Sequence, residues 1–523
     1  MGRIPRKENK NIEFKEVLKI DYHLKEERKQ HLAAQMRYLL DVGKGEAVYI
    51  MGVKDSGAIR GLNEIEFRET LSVLETIAKE CGAEVSKIEK FFEDGKLIAK
   101  ILISRVGKKE IEHIVVGVCG HVSHGKSTLI GTLITGKPDK EKKAWLYLNV
   151  LPHEIERGLS ADLHHALLGF RNGKPLFFKN PLSKKEKEKI VEISDKIISF
   201  VDTVGHEPWL RTTIRGLIGQ EIDYGILVVA ADDGVTHITK EHLGLLLASQ
   251  IPIIVCITKI DKVPKKKVDR VENNISSILK NIGRIPFSIK DDRDLKVVID
   301  KIDVVIPIIR TSARNFLAYD LLYKLLFNLP KRKKEVDKPF LMYIDKVYNV
   351  EGVGTVISGT IKQGKIEVGK QLLIGPDKNG KFKKVKVKSI EMHYYRLKEA
   401  NAGFVVGVAL KGIKYEDIER GMVLCEKEIK PKAVKKFDAE VFILSHPTRI
   451  KTGYEPVFHC NTISESVRFK LLDKKYLKMG ESGKVRIIFK YKPQFLREGD
   501  RFIFREGRTK GIGVVKKIVE VLS

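Results

Sequence analysis

Eight consecutive residues from Gly120 to Ser127 carry the clearest chemical signal in the sequence. They read G-H-V-S-H-G-K-S and fit the pattern G-x-x-x-x-G-K-[ST]. An apolar stretch at residues 113–119, predicted as a strand, precedes them, and residues 128–135 are predicted as a helix. Backbone N–H groups of such a loop wrap phosphate oxygens at a helix N-terminus, a lysine reaches the β and γ phosphates, and a hydroxyl binds Mg²⁺. The pattern therefore predicts phosphate contacts from Gly120, His121, Val122, Ser123, His124, Gly125, Lys126, Ser127 and Thr128.

A second motif, D-T-V-G from Asp202 to Gly205, follows an apolar stretch at residues 197–201. The four-residue pattern has little specificity alone, but its position after a phosphate loop makes it informative. We expect Asp202 to hold Mg²⁺ through a water molecule and the Gly205 N–H to meet the γ-phosphate.

Two later motifs predict that the base is guanine. T-K-I-D, which ends at Asp261, closes an apolar strand at residues 253–258, and T-S-A at residues 311–313 follows another strand. A carboxylate at this position accepts both the N1–H and the N2 amino hydrogens of guanine, which adenine does not offer in that arrangement. Backbone N–H groups of the last motif can point at the guanine O6. The candidate base contacts are Thr258, Lys259, Asp261, Ser312 and Ala313.

The elements that position these motifs predict a multidomain chain. Between residues 111 and 330, near-continuous aliphatic strands alternate with helices, which is typical of a parallel sheet covered on both faces. Residues 1–110 indicate a small N-terminal α/β domain of unknown role. After a charged linker at residues 330–339 the periodicity falls toward two and glycines punctuate short strands. That pattern predicts two β-barrels, at residues 336–429 and 432–523.

The positive charge of the chain is concentrated near its C-terminus. Of the formal net charge of +29, residues 331–523 contribute +20, from 43 basic and 23 acidic side chains. Residues 1–110 contribute +3 and residues 111–330 contribute +6. A lysine- and glutamate-rich composition is typical of life at high temperature, but that explains charges of both signs and not the imbalance. The excess predicts that the C-terminal third faces a polyanion, most simply RNA.

Composition also predicts a cytoplasmic protein with no membrane partner. No apolar run approaches the ~20 residues that span a bilayer, and residues 1–7 lack the apolar core of a signal peptide. The five cysteines are scattered and form no CxxC pair. They are predicted to be buried free thiols in a reducing compartment.

The four motifs, in this order, resemble those of the translational GTPases such as elongation factor Tu and elongation factor one-alpha. The resemblance covers roughly residues 111–520, because residues 352–359 and 413–424 are similar to the second domain of those factors. Residues 444–447, 453–456 and 505–513 are similar to the third domain. The N-terminal unit and E-I-E-R-G-L-S at residues 154–160 point to the subfamily of GTP-binding proteins one and two. The resemblance implies an α/β P-loop GTPase domain followed by two β-barrels. It also implies hydrolysis of GTP to GDP and phosphate, with GTP/GDP and Mg²⁺ as ligands.

The resemblance implies further roles in the two switch segments. His206 would orient the attacking water, and Val122 and Leu159 would form an apolar gate through which its side chain swings. Ser160 would replace the switch threonine that binds Mg²⁺ only in the GTP state, within a switch region of roughly residues 137–169. The expected metal ligands are Ser127, Ser160 and, through a water, Asp202.

Two residues depart from the family pattern. Thr258 stands where the family has asparagine, so base selection by Asp261 is kept but the loop is braced differently. Ser123 stands where these factors usually carry aspartate, which weakens any inference about a bound monovalent cation.

Several other segments have a simple structural interpretation. His153, His164 and His165 lack metal-site spacing and are predicted to be packing or surface residues. Residues 265–267 are predicted to form an exposed loop. Residues 381–388 alternate lysine with apolar residues, and two interpretations stay open: an edge strand protected from aggregation, or an RNA contact.

The function we expect is that of a switch: GTP and Mg²⁺ order the switch segments, and the GTP form holds a tRNA-like ligand and the ribosome. One alternative is a GTPase adapter in mRNA turnover. Another is a regulatory GTPase subunit of a metabolic enzyme, of the kind found in sulfate activation, although such a subunit has no need of cationic barrels. The sequence leaves open whether a nucleotide-exchange factor takes part.

Overall fold

The computed structural model describes residues 11–43, 45–93, 95–105, 111–148, 163–205, 213, 216–217, 219–507 and 509–522. The chain forms two compact units, Met1–Glu110 and Ile111–Ser523. Among the described residues, no helix is both long and apolar enough to cross a membrane.

The first unit packs helices against a four-stranded sheet in the order β1-β2-β4-β3. The first two strands run parallel, and the other pairs are antiparallel. Its third helix begins with a capping box, in which Asn63 and Glu66 each bind the other's backbone N–H at 2.8 and 3.0 Å. The elements are β1 Ile12–Lys15, α1 Ile20–His23, α2 Glu26–Val42, β2 Glu46–Met51, α3 Glu64–Glu80, β3 Ala83–Glu93 and β4 Lys96–Arg105.

The second unit begins with an eight-stranded sheet in the order β11-β12-β10-β9-β5-β8-β6-β7. Apolar side chains cover both faces, as the continuous aliphatic strands predict. The elements are β5 Glu112–Gly120, α4 Lys126–Thr135, β6 His164–Arg171, β7 Lys174–Leu176, α5 Lys184–Ile193, β8 Lys196–Asp202, β9 Tyr224–Ala230, α6 His237–Ala248, β10 Ile253–Thr258, α7 Lys265–Asn281, β11 Ile285–Ser288, α8 Asp292–Ile299, β12 Val305–Arg310 and α9 Tyr319–Asn328.

Three features of this α/β region differ from the sequence-based expectation. The sheet is mixed, because β6 runs antiparallel to both β8 and β7. The strand His164–Arg171 also occupies the end of the segment expected to be a switch, residues 137–169. The run at residues 265–267 is not a loop but the first turn of α7, which Pro264 precedes as N-cap. The lysines there are exposed as expected, but they lie on the solvent side of an amphipathic helix.

Two closed six-stranded β-barrels follow, which confirms the predicted fold class. Pairing of β13 with β15 closes a ring of six strands in the first barrel, in the order β13-β22-β17-β18-β21-β15, and pairing of β26 with β23 closes the second, in the order β26-β25-β24-β28-β29-β23. The short strands β14, β16, β19, β20 and β27 belong to the two barrel domains but not to these closed rings. The first contains β13 Leu341–Tyr343, β14 Lys346–Val350, β15 Gly354–Gln363, β16 Lys365–Glu367, β17 Gln371–Gly375, β18 Lys383–Met392, β19 Tyr395–Leu397, β20 Glu399–Asn401, β21 Val405–Lys411 and β22 Val423–Cys425. The second contains β23 Ala433–Ser445, β24 Val457–Cys460, β25 Ile463–Leu471, β26 Ser482–Phe489, β27 Gln494–Phe495, β28 Arg501–Glu506 and β29 Thr509–Leu522.

A largely buried chain of hydrogen bonds joins the sheet to the first barrel. The Ser199 hydroxyl lies 2.7 Å from His113 Nε2 and 2.8 Å from His393 Nε2, and His113 Nδ1 lies 3.2 Å from the Gly403 carbonyl. Because a carbonyl only accepts, His113 carries its proton on Nδ1, Ser199 donates to His113 Nε2, and His393 donates to Ser199. Burial lowers the pKa of each histidine to about 3, so both are neutral.

The cysteines are free thiols, as predicted. Cys119, Cys256, Cys425 and Cys460 are buried, whereas Cys81 is only partly buried. Burial raises the pKa of the Cys119 and Cys256 thiols to about 12, so these groups are inert apolar packing.

Candidate nucleotide site

The phosphate loop bends sharply at the end of β5. Gly120 has a φ of +148° and Gly125 has a φ of +90°, and a Cβ at position 120 would collide with the Val228 carbonyl. Helix α4 begins at Lys126, and because its N-cap is Gly125, no side chain caps it. The first N–H groups of the helix are therefore directed into the loop with no capping side chain in front of them.

Lys126 lies inside this loop. Its side chain is buried, and Nζ donates to the His121 carbonyl at 3.0 Å. Burial lowers the pKa of Lys126, and the nearby Asp202 carboxylate opposes that shift. A buried ammonium whose hydrogen-bond acceptor is a neutral carbonyl gains strongly from an anionic ligand.

The end of β8 meets the phosphate loop at two points. The Ser127 hydroxyl donates to Asp202 at 2.5 Å, so the two metal ligands predicted from the motifs themselves are adjacent. The Val122 N–H donates to the Gly205 carbonyl at 3.1 Å. A Cβ at position 205 would lie 2.6 Å from the Val122 nitrogen, so glycine is required for this close approach.

The base end of the site is built from the ends of β10 and β12. The Thr258 hydroxyl donates to the His124 carbonyl at 2.6 Å, and the Ser312 hydroxyl donates to Asp261 at 2.7 Å. The same Ser312 oxygen accepts the Asn315 N–H at 3.1 Å. The first bond shows how threonine braces the loop in place of asparagine. The second holds the carboxylate that is predicted to recognise guanine.

Two residues that the sequence did not assign to the site support its loop. Asp233, which follows β9, accepts from His124 Nε2 at 2.9 Å, and the Gly120 N–H donates to His242 Nδ1 at 2.9 Å. Burial lowers the pKa of His242 to about 3, so its ring is neutral and can accept. The signal that could have found Asp233 is A-A-D-D-G at the end of a buried strand, next to the phosphate-loop strand.

The structure thus brings together, at one edge of the sheet, the predicted residues from Gly120 to Thr128, Asp202, Gly205, Thr258, Lys259, Asp261, Ser312 and Ala313. His206, Ser160 and Leu159 lie outside the described residues. The uncapped helix, the buried ammonium and the paired hydroxyl and carboxylate fit a nucleoside triphosphate with Mg²⁺, because they supply donors for phosphate and hard oxygen ligands for the cation.

Comparison with known families covers most of the second unit. The family described as "Elongation factor Tu GTP binding domain" matches residues 111–426, and the family described as "Elongation factor Tu C-terminal domain" matches residues 430–519.

Curated relatives extend the match into the first unit. The chain is 34% identical over 504 residues to GTP-binding protein 1 of Xenopus laevis, covering 94% of this chain and 77% of that protein. It is 33% identical over 538 residues to GTP-binding protein 2 of Homo sapiens, covering 99% and 88%. Over 453 residues it is 33% identical to elongation factor 1-alpha of Methanopyrus kandleri, covering 78% of this chain and 99% of that factor.

Solved structures show the same fold at lower identity. Elongation factor SelB from Methanococcus maripaludis, in complex with the GTP analogue GppNHp, matches with a TM-score of 0.57 and 22% identity over 78% of this chain and 80% of that one. A bacterial selenocysteine-specific elongation factor, EF-Sec, matches with a TM-score of 0.58 and 21% identity, covering 77% of this chain and 58% of that one.

Proposed function

Because this chain belongs to the translational GTPases of the elongation factor Tu and elongation factor 1-alpha type, we propose that it is a switch that binds a tRNA-containing ligand and acts on the ribosome. The chain is a translation-elongation-factor-like GTPase that hydrolyses GTP to GDP. It binds GTP and GDP, and Mg²⁺ is typical of the family.

The site residues have separate tasks in this proposal. Lys126 and the first N–H groups of α4 bind phosphate, Gly205 meets the γ-phosphate, and Asp261 selects guanine. Ser127 and Ser160, and Asp202 through a water, would hold Mg²⁺, which would neutralise phosphate charge.

His206 is proposed to orient the attacking water for in-line displacement of GDP. Its position, directly after Gly205, follows the family pattern and rests on the sequence. The proposed gate of Val122 and Leu159 would admit this side chain only when the switch is ordered. Proton transfer and water positioning of this kind depend on hydrogen-bond reach to the water.

The observation that carries the switch proposal is the anchoring of the segment just after residues 206–218. The Thr360 hydroxyl of the first barrel donates to the Gln220 carbonyl at 2.9 Å, and Lys362 pairs with Glu221 at 2.7 Å. Next to them, Asp223 pairs with Lys334 at 2.5 Å and accepts the Val115 N–H at 2.8 Å. A change of conformation after Gly205 that displaced Gln220 and Glu221 would therefore break or move their contacts with Thr360 and Lys362. This coupling supports an arrangement of the barrels that depends on the bound nucleotide.

The charge distribution supports RNA as the partner. The barrels and their linker carry a net +20, whereas the GTPase domain carries +6. A partner that is itself a polyanion would neutralise this excess.

The test is GTP hydrolysis with and without ribosomes, by the whole protein and by a His206→Ala variant. We expect ribosomes to stimulate hydrolysis in the wild type and His206→Ala to lose that stimulation while it keeps GTP binding. His31→Ala, which changes an exposed histidine of the first unit, is the matched control and should behave as wild type. Hydrolysis that is indifferent to ribosomes would contradict the ribosomal part of the proposal and leave the GTPase assignment intact.

A further inference from the structure

Strand β18 of the first barrel carries a row of exposed lysines. Lys384, Lys386 and Lys388 point to solvent, while Val385 and Val387 between them are 3% and 1% exposed and pack into the barrel core. Lys411, at the end of β21, is also exposed. We call Lys384, Lys386 and Lys411 the lysine face.

The structure removes one explanation for these lysines. Lysines on an edge strand discourage edge-to-edge aggregation. Strand β18 lies between two strands of the barrel sheet, because residues from Lys383 to Lys386 pair with β17 and residues from Lys386 to Glu391 pair with β21. At Lys386 both sides of the strand are paired. The protective role that the sequence left open therefore does not apply to Lys386, the central lysine of this face.

The lysine face is also unfavourable for the stability of the barrel. Lys386 lies directly opposite Lys411 in the antiparallel pairing of β18 with β21, and Lys384 is two residues along the same face. Side chains directly opposite each other on neighbouring strands are about 5 Å apart, and like charges in that arrangement are destabilising. The third position in this row, on β17, is the uncharged Gln371.

Acidic side chains do not offset this charge. Among the described residues of this region, Lys383 forms an ion pair with Asp417 at 3.5 Å, and Lys388 donates a hydrogen bond to the Val353 carbonyl at 2.9 Å. Lys384, Lys386 and Lys411 make no ion pair with any described residue. The three ammonium groups face solvent as a cluster of like charge.

We infer that the lysine face binds the phosphate backbone of RNA. The inference rests on the RNA partner in the proposed function and deepens it by naming a surface. Nucleic acid fits better than an acidic protein because protein interfaces are depleted in lysine and depend on buried aromatic or arginine anchors. A phosphate backbone needs only clustered cations without an apolar centre, and three lysines on two adjacent strands supply them.

The test measures binding of a fluorescent oligouridylate and of bulk tRNA to the whole protein over a range of salt concentrations. Lys384→Gln, Lys386→Gln and Lys411→Gln are combined in one variant. The control removes the same charge from exposed lysines of helix α7 and its C-terminal end, as Lys265→Gln, Lys266→Gln and Lys280→Gln. A third variant replaces the lysine face with arginine.

We expect the lysine-face glutamine variant to bind RNA on the order of ten-fold more weakly at low salt. Its plot of log affinity against log salt should be less steep by about 2, because each phosphate contact on a single strand contributes about 0.7. The arginine variant and the α7 control should keep wild-type affinity and slope. Removing the Lys386–Lys411 repulsion should leave the melting temperature of the glutamine variant unchanged or raised, so weaker binding is not attributable to unfolding.

Four results would overturn the inference, in different ways. Equal loss in the α7 control would mean that RNA responds to total charge and not to this surface. Unchanged binding in the lysine-face variant would mean that RNA binds another surface of the chain, and the proposed function would still stand. No RNA binding by the wild type would mean that RNA is not a partner, which would contradict the proposed function as well. Displacement of RNA by polyglutamate at equal charge, dependent on the same lysines, would favour an acidic protein.

Discussion

Replacing Thr258 with valine tests how this chain braces its nucleotide site without the asparagine of the family. The threonine is 7% exposed, and its hydroxyl donates to the His124 carbonyl at 2.6 Å. Valine keeps the shape and removes the donor, so a buried carbonyl loses this hydrogen bond. Leaving a buried polar group unsatisfied costs roughly 1–3 kcal/mol.

The bond joins the loop that is proposed to bind phosphate to the strand end that leads into the motif proposed to bind the base. When both halves are tied together before the ligand arrives, binding does not have to order them. If the whole cost falls on the bound state, nucleotide affinity should fall by roughly 5- to 150-fold, the range that corresponds to 1–3 kcal/mol.

The assay is the equilibrium dissociation constant for fluorescent GDP, together with the free energy of unfolding of the nucleotide-free protein. Thr258→Ser keeps the hydroxyl and should stay near wild type. Thr258→Asn introduces the family residue and should recover affinity that valine loses. Wild-type affinity in the valine variant, with unchanged stability, would refute the argument that this hydrogen bond preorganises the site.

Two further predictions concern the base and the interface with the first barrel. Asp261→Asn should lower GTP affinity and raise affinity for xanthosine triphosphate, because an amide can donate to the xanthine O2 where a carboxylate cannot; competition binding with both nucleotides measures this. The buried His113 and the partly buried His393 have pKa values lowered by desolvation from 6.5 to about 3, so the unfolded chain takes up protons first as the pH falls. Their contribution to stability should be complete above pH 6.5 and decline below it by up to about 1.4 kcal/mol per pH unit for each histidine, until the folded pKa is reached. Denaturant unfolding at several pH values checks the slope, and a His393→Gln variant should show a shallower one; equal slopes would contradict the assignment.

The sequence was sufficient for the order of the nucleotide motifs, because each motif ends a strand and parallel strands present their carboxyl ends at one edge. It was not sufficient for the contacts between motifs. The bond from Thr258 to His124 depends on the direction of a main-chain carbonyl, which the positive φ of Gly125 sets. No side-chain pattern reports that direction.

Two differences between the predicted and the observed fold, the β6–β7 edge and the first turn of α7, also have physical causes. The antiparallel edge formed by β6 and β7 was missed because residues 137–169, which include most of β6, were interpreted as one continuous switch segment. Helix α7 has buried Val268, Val271, Ile275 and Leu279 at helical spacing, which predicts a helix. Its first turn was missed because three consecutive lysines indicate exposure, and exposure does not distinguish a loop from the outer face of a helix.

The buried hydrogen bonds around the site form one connected system. Thr258 on β10 holds the phosphate loop through the His124 carbonyl, and the same histidine's ring is held by Asp233 after β9. His242 on α6 accepts the Gly120 N–H at the other end of that loop. Most of these bonds use main-chain groups of the loop, so they fix its path without depending on its variable side chains. This arrangement explains why Ser123 can replace the family's aspartate while the groups predicted to bind phosphate remain together.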